Sequence, residues 1–375
     1  MRRVLLAIAI LTSPAAAADA QVFDSAKAKF RVETVASGLE NPWSLAFLPD
    51  GRKLITERPG RLRILAPDGK LLKPVTGLPA VAAVGQGGLL DVAPSPDFLT
   101  SRVLYFTFTE PRGLIGNGTS LARAKLVDDK DGAKLTELKI IFRQEPAVAG
   151  GFHFGSRIAF ARDGTLFVTL GERYRRDAAQ DLSTHLGKVL RLKSDGTVPP
   201  DNPFVNLSHA KPEIWSYGHR NPQGAAIHPA TGKLWIHEHG PRGGDEINIP
   251  EKGKNYGWPV VGYGLEYSGA RLHASAEKEG MTPPIHQWTP SIAPSGMLFY
   301  SGSAFPAWRG NLFVGALAGQ HLARLELDGE KVIAEEKLLA GLGVRIRDVR
   351  EAPDGTIWLL TDHRDGKVLR LVPEK

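Results

Sequence analysis

The sequence predicts an all-β protein, a six-bladed β-propeller of four-stranded antiparallel blades, and three observations carry that prediction. A hairpin unit recurs six times along the chain. Turn residues are dense, with 41 Gly and 27 Pro among 375 residues, so that strands are short. Helical periodicity is almost absent between the turns. Radial repetition of small antiparallel sheets closes a ring and so removes the strand edges that invite aggregation. A sandwich or jelly roll is the other all-β solution that the pattern allows.

The units follow in order. SLAFLPDG at 44–51 leads into KLIT at 53–56, and LDVAPSPD at 90–97 into VLYFTF at 103–108. RIAFARDG at 157–164 leads into TLFVTL at 165–170, and GAAIHPATG at 224–232 into KLWIH at 233–237. SGMLFY at 295–300 precedes NLFVG at 311–315, and DVREAPDG at 348–355 precedes TIWLLT at 356–361. Each is an alternating strand, a turn built on Pro or Asp-Gly, and a second strand, which is a hairpin signal. Third strands follow several of them, as in GRLRIL at 60–65 and KVLRLV at 367–372.

Residues 1–20, MRRVLLAIAILTSPAAAADA, have the basic end, short apolar stretch and A-x-A site of a secretory leader, so residues 21–375 are expected to form one exported propeller domain. The apolar stretch is too short to span a bilayer. The chain has no cysteine, which excludes disulfides, thiolate metal sites and a cysteine nucleophile. Its formal charge of +7 is scattered without Lys/Arg runs, which argues against a nucleic-acid partner and is compatible with an anionic cofactor.

In a propeller the inner strands converge on a central channel, and the segments leading into them line a pocket. His153, in GGFHFGSR at 150–157, sits at such an entrance. It is either a packed, satisfied side chain or a base facing the pocket, and the glycines around it allow close approach of a neighbour or ligand. Gln86 precedes the second unit, Arg220 and Asn221 the fourth, and Arg345 and Arg347 the last, two apart and so on one face if extended. Arginines from different blades converging on one end of the channel call for an anionic partner such as a polycarboxylate or phosphate. EHGPRGGDEIN at 238–248, with NYGW at 255–258, offers oxygen ligands suited to calcium, or forms an ordinary acidic turn. Arg157 is read as a structural ion-pair partner, and Trp43, Trp215, Trp235 and Trp358 as core. Strand alternation spreads His219, His237 and His239 over different faces, so a zinc site is not expected.

Taken in order over about residues 30–373, GQGG at 85–88, HFGSR at 153–157, GHRNPQG at 218–224, EHGPRGGDEIN, NYGWP at 255–259, APSG at 293–296 and RIRDV at 345–349 resemble the soluble PQQ-dependent aldose sugar dehydrogenases, the glucose/sorbosone dehydrogenase family of six-bladed propellers. The resemblance implies a periplasmic quinoprotein that oxidises aldoses at the anomeric carbon to lactones, with PQQ and Ca2+ as cofactors. By that likeness His153 is the general base, and Arg220 is the catalytic arginine beside the reacting carbonyl and also touches the cofactor. Gln86, Asn221, Tyr267 and the stretch Ala316, Leu317 and Ala318 take the places of cofactor contacts, and Arg345 and Arg347 those of the pair holding its carboxylates. The carbonyls of Gly240 and Pro241 resemble calcium ligands, Glu246 and the Tyr256 region a second calcium site, and Trp288 an aromatic wall near the sugar.

One position departs from the family pattern. Many relatives carry a lysine where this chain has Ala318, and losing such a charge-assisted contact costs on the order of 1.5–3 kcal/mol unless Gln320 or His321 compensates. Two other functions are open to the sequence. A calcium-dependent lactonase-like hydrolase would need an open cation, which the arginines oppose. A non-catalytic propeller that binds carbohydrate or protein would need no base. The electron acceptor, and the choice between monomer and homodimer, are not written in these residues.

Overall fold

A computed structural model of the chain describes residues 21–130 and 132–374. The expected leader, residues 1–20, lies outside them. Six antiparallel sheets succeed one another around a ring, as the repeat predicts. The first blade comprises Pro42–Phe47, Lys53–Glu57 and Arg61–Leu65. The second comprises Leu89–Pro94, Val103–Arg112, Gly116–Asp129 and Gly132–Arg143. Ile158–Phe160, Leu166–Leu170, Lys188–Leu192 and Ile214–Tyr217 make the third. Pro222–Ile227, Leu234–Glu238, Asp245–Asn248 and His286–Trp288 make the fourth. The fifth is Pro294–Phe299, Leu312–Ala316, Leu322–Asp328 and Lys331–Leu338.

The sixth blade closes the ring. Its strands Ile346–Glu351, Ile357–Thr361 and Gly366–Pro373 are joined by Lys29–Leu39 and Gln21–Asp24 from the other end of the chain. This blade therefore has five strands, while the first has three and completes its outer edge with isolated bridges from Leu62 to Val75 and from Leu65 to Leu71. The other four blades have the expected four.

Apolar clusters fill each gap between neighbouring blades. Leu54, Leu62, Leu104 and Phe106 meet between the first and second, and Leu45, Ile55, Trp358 and Leu360 between the sixth and first. The remaining gaps are filled in the same way. Each such side chain contributes about 1.5–3 kcal/mol by leaving water. Trp43, Trp235 and Trp358 are buried as expected, while Trp215 is half-buried under Arg191.

Polar groups stitch the ring at its centre. The hydroxyls of Thr56, Thr107 and Thr169, on the second strands of the first three blades, each accept a backbone N–H from their own inner strand, at Ser44, Asp91 and Arg157. Each also donates to a carbonyl leading the next blade, at Leu90, Ser156 and Pro222. Arg157 is fully buried, and its guanidinium lies 3.2 Å from Asp91 of the second blade and 2.9 Å from Asp348 of the sixth, with Trp43 stacked 4.1 Å away. It is the structural ion-pair partner the sequence suggested. Five of the six inner strands shift register where they leave the loops, between Pro42 and Ser44, Leu89 and Val92, Pro222 and Gly224, Pro294 and Met297, and Ile346 and Asp348. Bulges of this kind bend the strand and re-aim its side chains. They occur at the end of the channel where the candidate residues gather.

Candidate active site

His153 is held in the left-handed region, at φ +53°, with Ser156, Arg173 and Tyr174 also at positive φ around it. Such conformations persist only where surrounding contacts enforce them. Here the His153 N–H donates to Gln86 Oε1 at 2.9 Å, and the Gln86 N–H donates to the Gly151 carbonyl at 2.7 Å. The imidazole is buried and stacks on Tyr174 with ring centres 4.6 Å apart. Its Nδ1 lies 2.9 Å from Glu172 Oε1. Donation of the Nδ1 proton to that carboxylate leaves the lone pair on Nε2. Burial pushes the imidazole pKa below its usual 6.5, the Glu172 hydrogen bond raises it, and the Arg220 and Arg173 charges push it down again. The ring is thus neutral near neutral pH and oriented by a residue that the sequence reading missed.

Of the close approach that the glycines near His153 allow, the structure shows a neighbouring segment at two of them: a side chain on Gly151 would lie 3.1 Å from Gly85, and one on Gly155, at φ +65°, only 2.7 Å from the Thr169 carbonyl. Two backbone segments pack closely here, which fixes where His153 leaves the loop.

Arg220 is joined to this group through its own carbonyl, which accepts the Glu172 N–H at 2.9 Å. Its N–H donates to Glu238 at 2.5 Å, and its Nη1 donates to the carbonyls of His239 at 3.1 Å and Gly240 at 2.9 Å. The guanidinium lies 5.3 Å from the Trp258 ring and 3.5 Å from the hydroxyl of the exposed Tyr267. Asn221 Oδ1 accepts from Gly155 N–H at 3.2 Å and Gln223 Nε2 at 3.1 Å, and its Nδ2 is buried without a partner.

Arg345 and Arg347 come together as the spacing suggested, but on a carboxylate that the sequence reading did not assign. Arg345 Nε and Nη2 lie 3.2 and 3.0 Å from Asp362 Oδ2, and Arg347 Nη2 donates to the same oxygen at 3.1 Å. Burial favours the neutral form of Asp362, yet the charges of Arg347 and Arg345 outweigh it and hold the pKa at about 2. Ala316 ends the second strand of blade five, and the carbonyl of Leu317 just beyond it accepts from Arg345 Nη1 at 3.2 Å. Ala318 is exposed, and His321 turns its Nδ1 to the Gly319 carbonyl at 2.9 Å.

The acidic segment borders a compact cavity that Arg220, His239, Trp258 and His273 also line. Gly240, Pro241, Glu238, Glu246 and Tyr256 line a cavity of about 20 Å³, room for one water-sized species. Burial above all, with the charge of Glu238 beside it, raises Glu246 to about 8. Asp245 accepts from Gly240 N–H at 2.9 Å and from the N–H groups of Ile292 and Ala293, and so fixes the Gly240 turn against blade five. The Tyr256 hydroxyl donates to the Ile249 carbonyl at 2.5 Å and accepts the Glu251 N–H, which commits it elsewhere. Among the described residues no group of three or more His, Cys, Asp or Glu is placed to hold a metal.

The three histidines of this region take separate partners. His219 bridges Glu238 and Ser216, at 2.9 Å each, and His239 faces the Pro294 carbonyl at 2.7 Å. His237 is buried against Gly224. The Ser216, His219 and Glu238 line has the residue types of a hydrolytic relay, but Ser216 and His219 are wholly buried and offer a substrate no access. Trp288, read by resemblance as an aromatic wall near the sugar, has its recorded contacts elsewhere. On its short outer strand it turns into the gap between blades four and five, and its Nε1 donates to both oxygens of Glu335 at 3.0 Å.

Comparisons with known proteins place the sequence and fold. The glucose/sorbosone dehydrogenase family pattern matches residues 39–370. The chain is 45% identical to the aldose sugar dehydrogenase YliI of Escherichia coli K12 over 352 residues, covering 93% of this chain and 94% of that protein. A crystal structure of a glucose dehydrogenase superposes with a TM-score of 0.89 at 52% identity, covering 92% of this chain and 99% of that one. The PQQ-bound aldose sugar dehydrogenase of Streptomyces coelicolor superposes with a TM-score of 0.76 at 30% identity, over 92% and 99% of the two chains. On family pattern, sequence and fold together, the chain belongs to the glucose/sorbosone dehydrogenase family.

Proposed function

We propose that the chain is a periplasmic quinoprotein dehydrogenase that oxidises aldoses at the anomeric carbon to lactones, with pyrroloquinoline quinone and calcium as cofactors. As a member of its family it is an oxidoreductase acting on the CH–OH group of sugars. The observation that supports the finer reading is a buried histidine paired with Glu172 and close enough to feel the Arg220 charge, with Arg347 of the sixth blade reaching Gln223 on the strand that follows Arg220.

The residues present suit both cofactors. Buried polar atoms without partners, Arg220 Nε, Asn221 Nδ2 and Arg347 Nε, suit a flat ligand rich in carboxylates and carbonyls. Glu238, Glu246 and the Gly240 and Pro241 turn border a cavity with room for one small species and offer the oxygen donors that a hard cation takes. Bound pyrroloquinoline quinone supplies a two-electron acceptor for the anomeric hydride. His153 Nε2 takes the proton of the anomeric hydroxyl, and Glu172 steadies the imidazolium that results. Arg220 stabilises negative charge beside it, and Arg345 and Arg347 bind carboxylates through planar forks.

Purified protein given pyrroloquinoline quinone and calcium should reduce an artificial dye with aldoses as donors. No dye reduction and no change in quinone absorbance would refute the reading. His153→Ala should abolish turnover and leave quinone binding largely intact.

A further inference from the structure

We propose that Asp362 is an internal counter-ion that competes with an anionic cofactor for Arg345 and Arg347, and that Arg58 supplies the third positive charge that position 318 lacks. The proposal rests on the quinoprotein reading above.

Three guanidinium nitrogens crowd onto one carboxylate oxygen of Asp362, at 3.0–3.2 Å, while its other oxygen is buried without a partner. Arg347 spends Nη1 on Gln223 at 3.3 Å and Nη2 on Asp362, and only its Nε is unused. One N–H of Nη2 is therefore committed to Asp362 and has to be released or shared when a ligand carboxylate takes that side of the guanidinium. Arg345 has a side chain 44% exposed and can swing away from Asp362 towards a bound carboxylate.

Arg58 follows Glu57 at the end of the second strand of blade one, the blade beside blade six. Its Nη1 donates to the Gly85 carbonyl at 2.6 Å, next to Gln86, and its Nε is buried and unpartnered. Its charge acts on both Asp362 and Arg347. Blade five, on the other flank of blade six, offers only the uncharged Ala318. The cluster thus has three guanidiniums and one carboxylate, an excess of positive charge that a polycarboxylate would neutralise.

The test uses apo-protein with two probes, pyrroloquinoline quinone followed by absorbance and benzene-1,3,5-tricarboxylate followed by calorimetry. Asp362→Asn should tighten both by about tenfold, and Arg58→Gln should weaken both by about tenfold. The double variant, with the net charge restored, should return to within about threefold of wild type, a compensation that purely structural damage would not give. Thermal midpoints establish that each variant is folded. Binding that is unchanged or weaker in Asp362→Asn, or unchanged in Arg58→Gln, overturns the proposal. Should the quinone fail to bind wild type while the tricarboxylate binds and follows both substitutions, the quinoprotein reading fails and the counter-ion assignment stands. Binding of neither probe to wild type overturns both.

Discussion

Replacing Glu172 by Gln tests whether the carboxylate behind His153 takes part in proton transfer or merely packs. Its oxygen lies 2.9 Å from Nδ1, so its charge faces the imidazolium formed when Nε2 takes a proton. Two unit charges about 4–5 Å apart interact by roughly 3–4 kcal/mol at an effective dielectric constant of about 20. At 1.36 kcal/mol per decade, losing that stabilisation lowers kcat on the order of 10²–10³-fold. The pH profile gives a second reading. Burial and the Arg220 and Arg173 charges already put the His153 pKa below 6.5, so activity is present above that pH and lost as pH falls through the lowered value. Glu172 raises this pKa, so the Gln variant should move the acid limb to lower pH still. Steady-state kinetics from pH 4 to 8 on reconstituted enzyme measure both effects. A kcat within about threefold of wild type, or an acid limb that moves upward, would show that Glu172 does not orient the base.

Other substitutions separate structure from chemistry. Arg157→Met leaves Asp91 and Asp348 with Arg350 alone as their shared cation and should destabilise by about 3 kcal/mol, seen as a lower thermal midpoint. Lys188→Met removes three hydrogen bonds, at 2.6–3.1 Å, from the buried ammonium to the carbonyls of Ala178, Ala179 and Leu186. These anchor the loop that follows Glu172; the Ala178 and Ala179 carbonyls keep the N–H groups of Asp181 and Gly218, so the midpoint should fall by a few degrees, with about 1–3 kcal/mol lost at the Leu186 carbonyl. Trp288→Phe keeps the ring in the gap between blades and loses the bond to Glu335. It should lower stability by about 1 kcal/mol and leave the KM for sugar unchanged, and a raised KM would return Trp288 to the sugar wall.

The blades were legible because each is announced locally, by Pro and Asp-Gly turns between alternating strands. Closure of the ring was not legible. Lys29–Leu39 pairs with Gly366–Pro373, across almost the whole chain, and no local signal specifies such a partner. His153, Arg220, Arg345 and Arg347 could be named because histidine and arginine are conspicuous before an inner strand. Their supporting carboxylates were hidden in plain view. The second strand of five blades runs into an acidic residue at its site end, at Glu57, Glu110, Glu172, Glu238 and Asp362. Aligning the second strands, rather than the turns, would have exposed that column. The glycines near His153 left neighbour and ligand both open, because sequence cannot tell a backbone neighbour from a cofactor.

That column also explains how the site is assembled. Glu172 holds His153, which precedes the inner strand of the same blade. Glu238 holds the Arg220 backbone at the head of the fourth inner strand, and Asp362 holds Arg345 and Arg347 at the head of the sixth. In each case the anchor and the group it steadies belong to one hairpin, so a local interaction fixes the geometry before neighbouring blades contribute. Blade five has neither partner, with Pro294 at the head of its inner strand and Ala318 beyond its second. The three anchors should therefore fail separately: Glu172 in proton transfer, Glu238 in the placement of Arg220, and Asp362 in the affinity for anions. A ring of semi-independent hairpins can lose a lysine in one blade and balance the charge from another without rebuilding the rest, and Arg58 is placed to provide that balance.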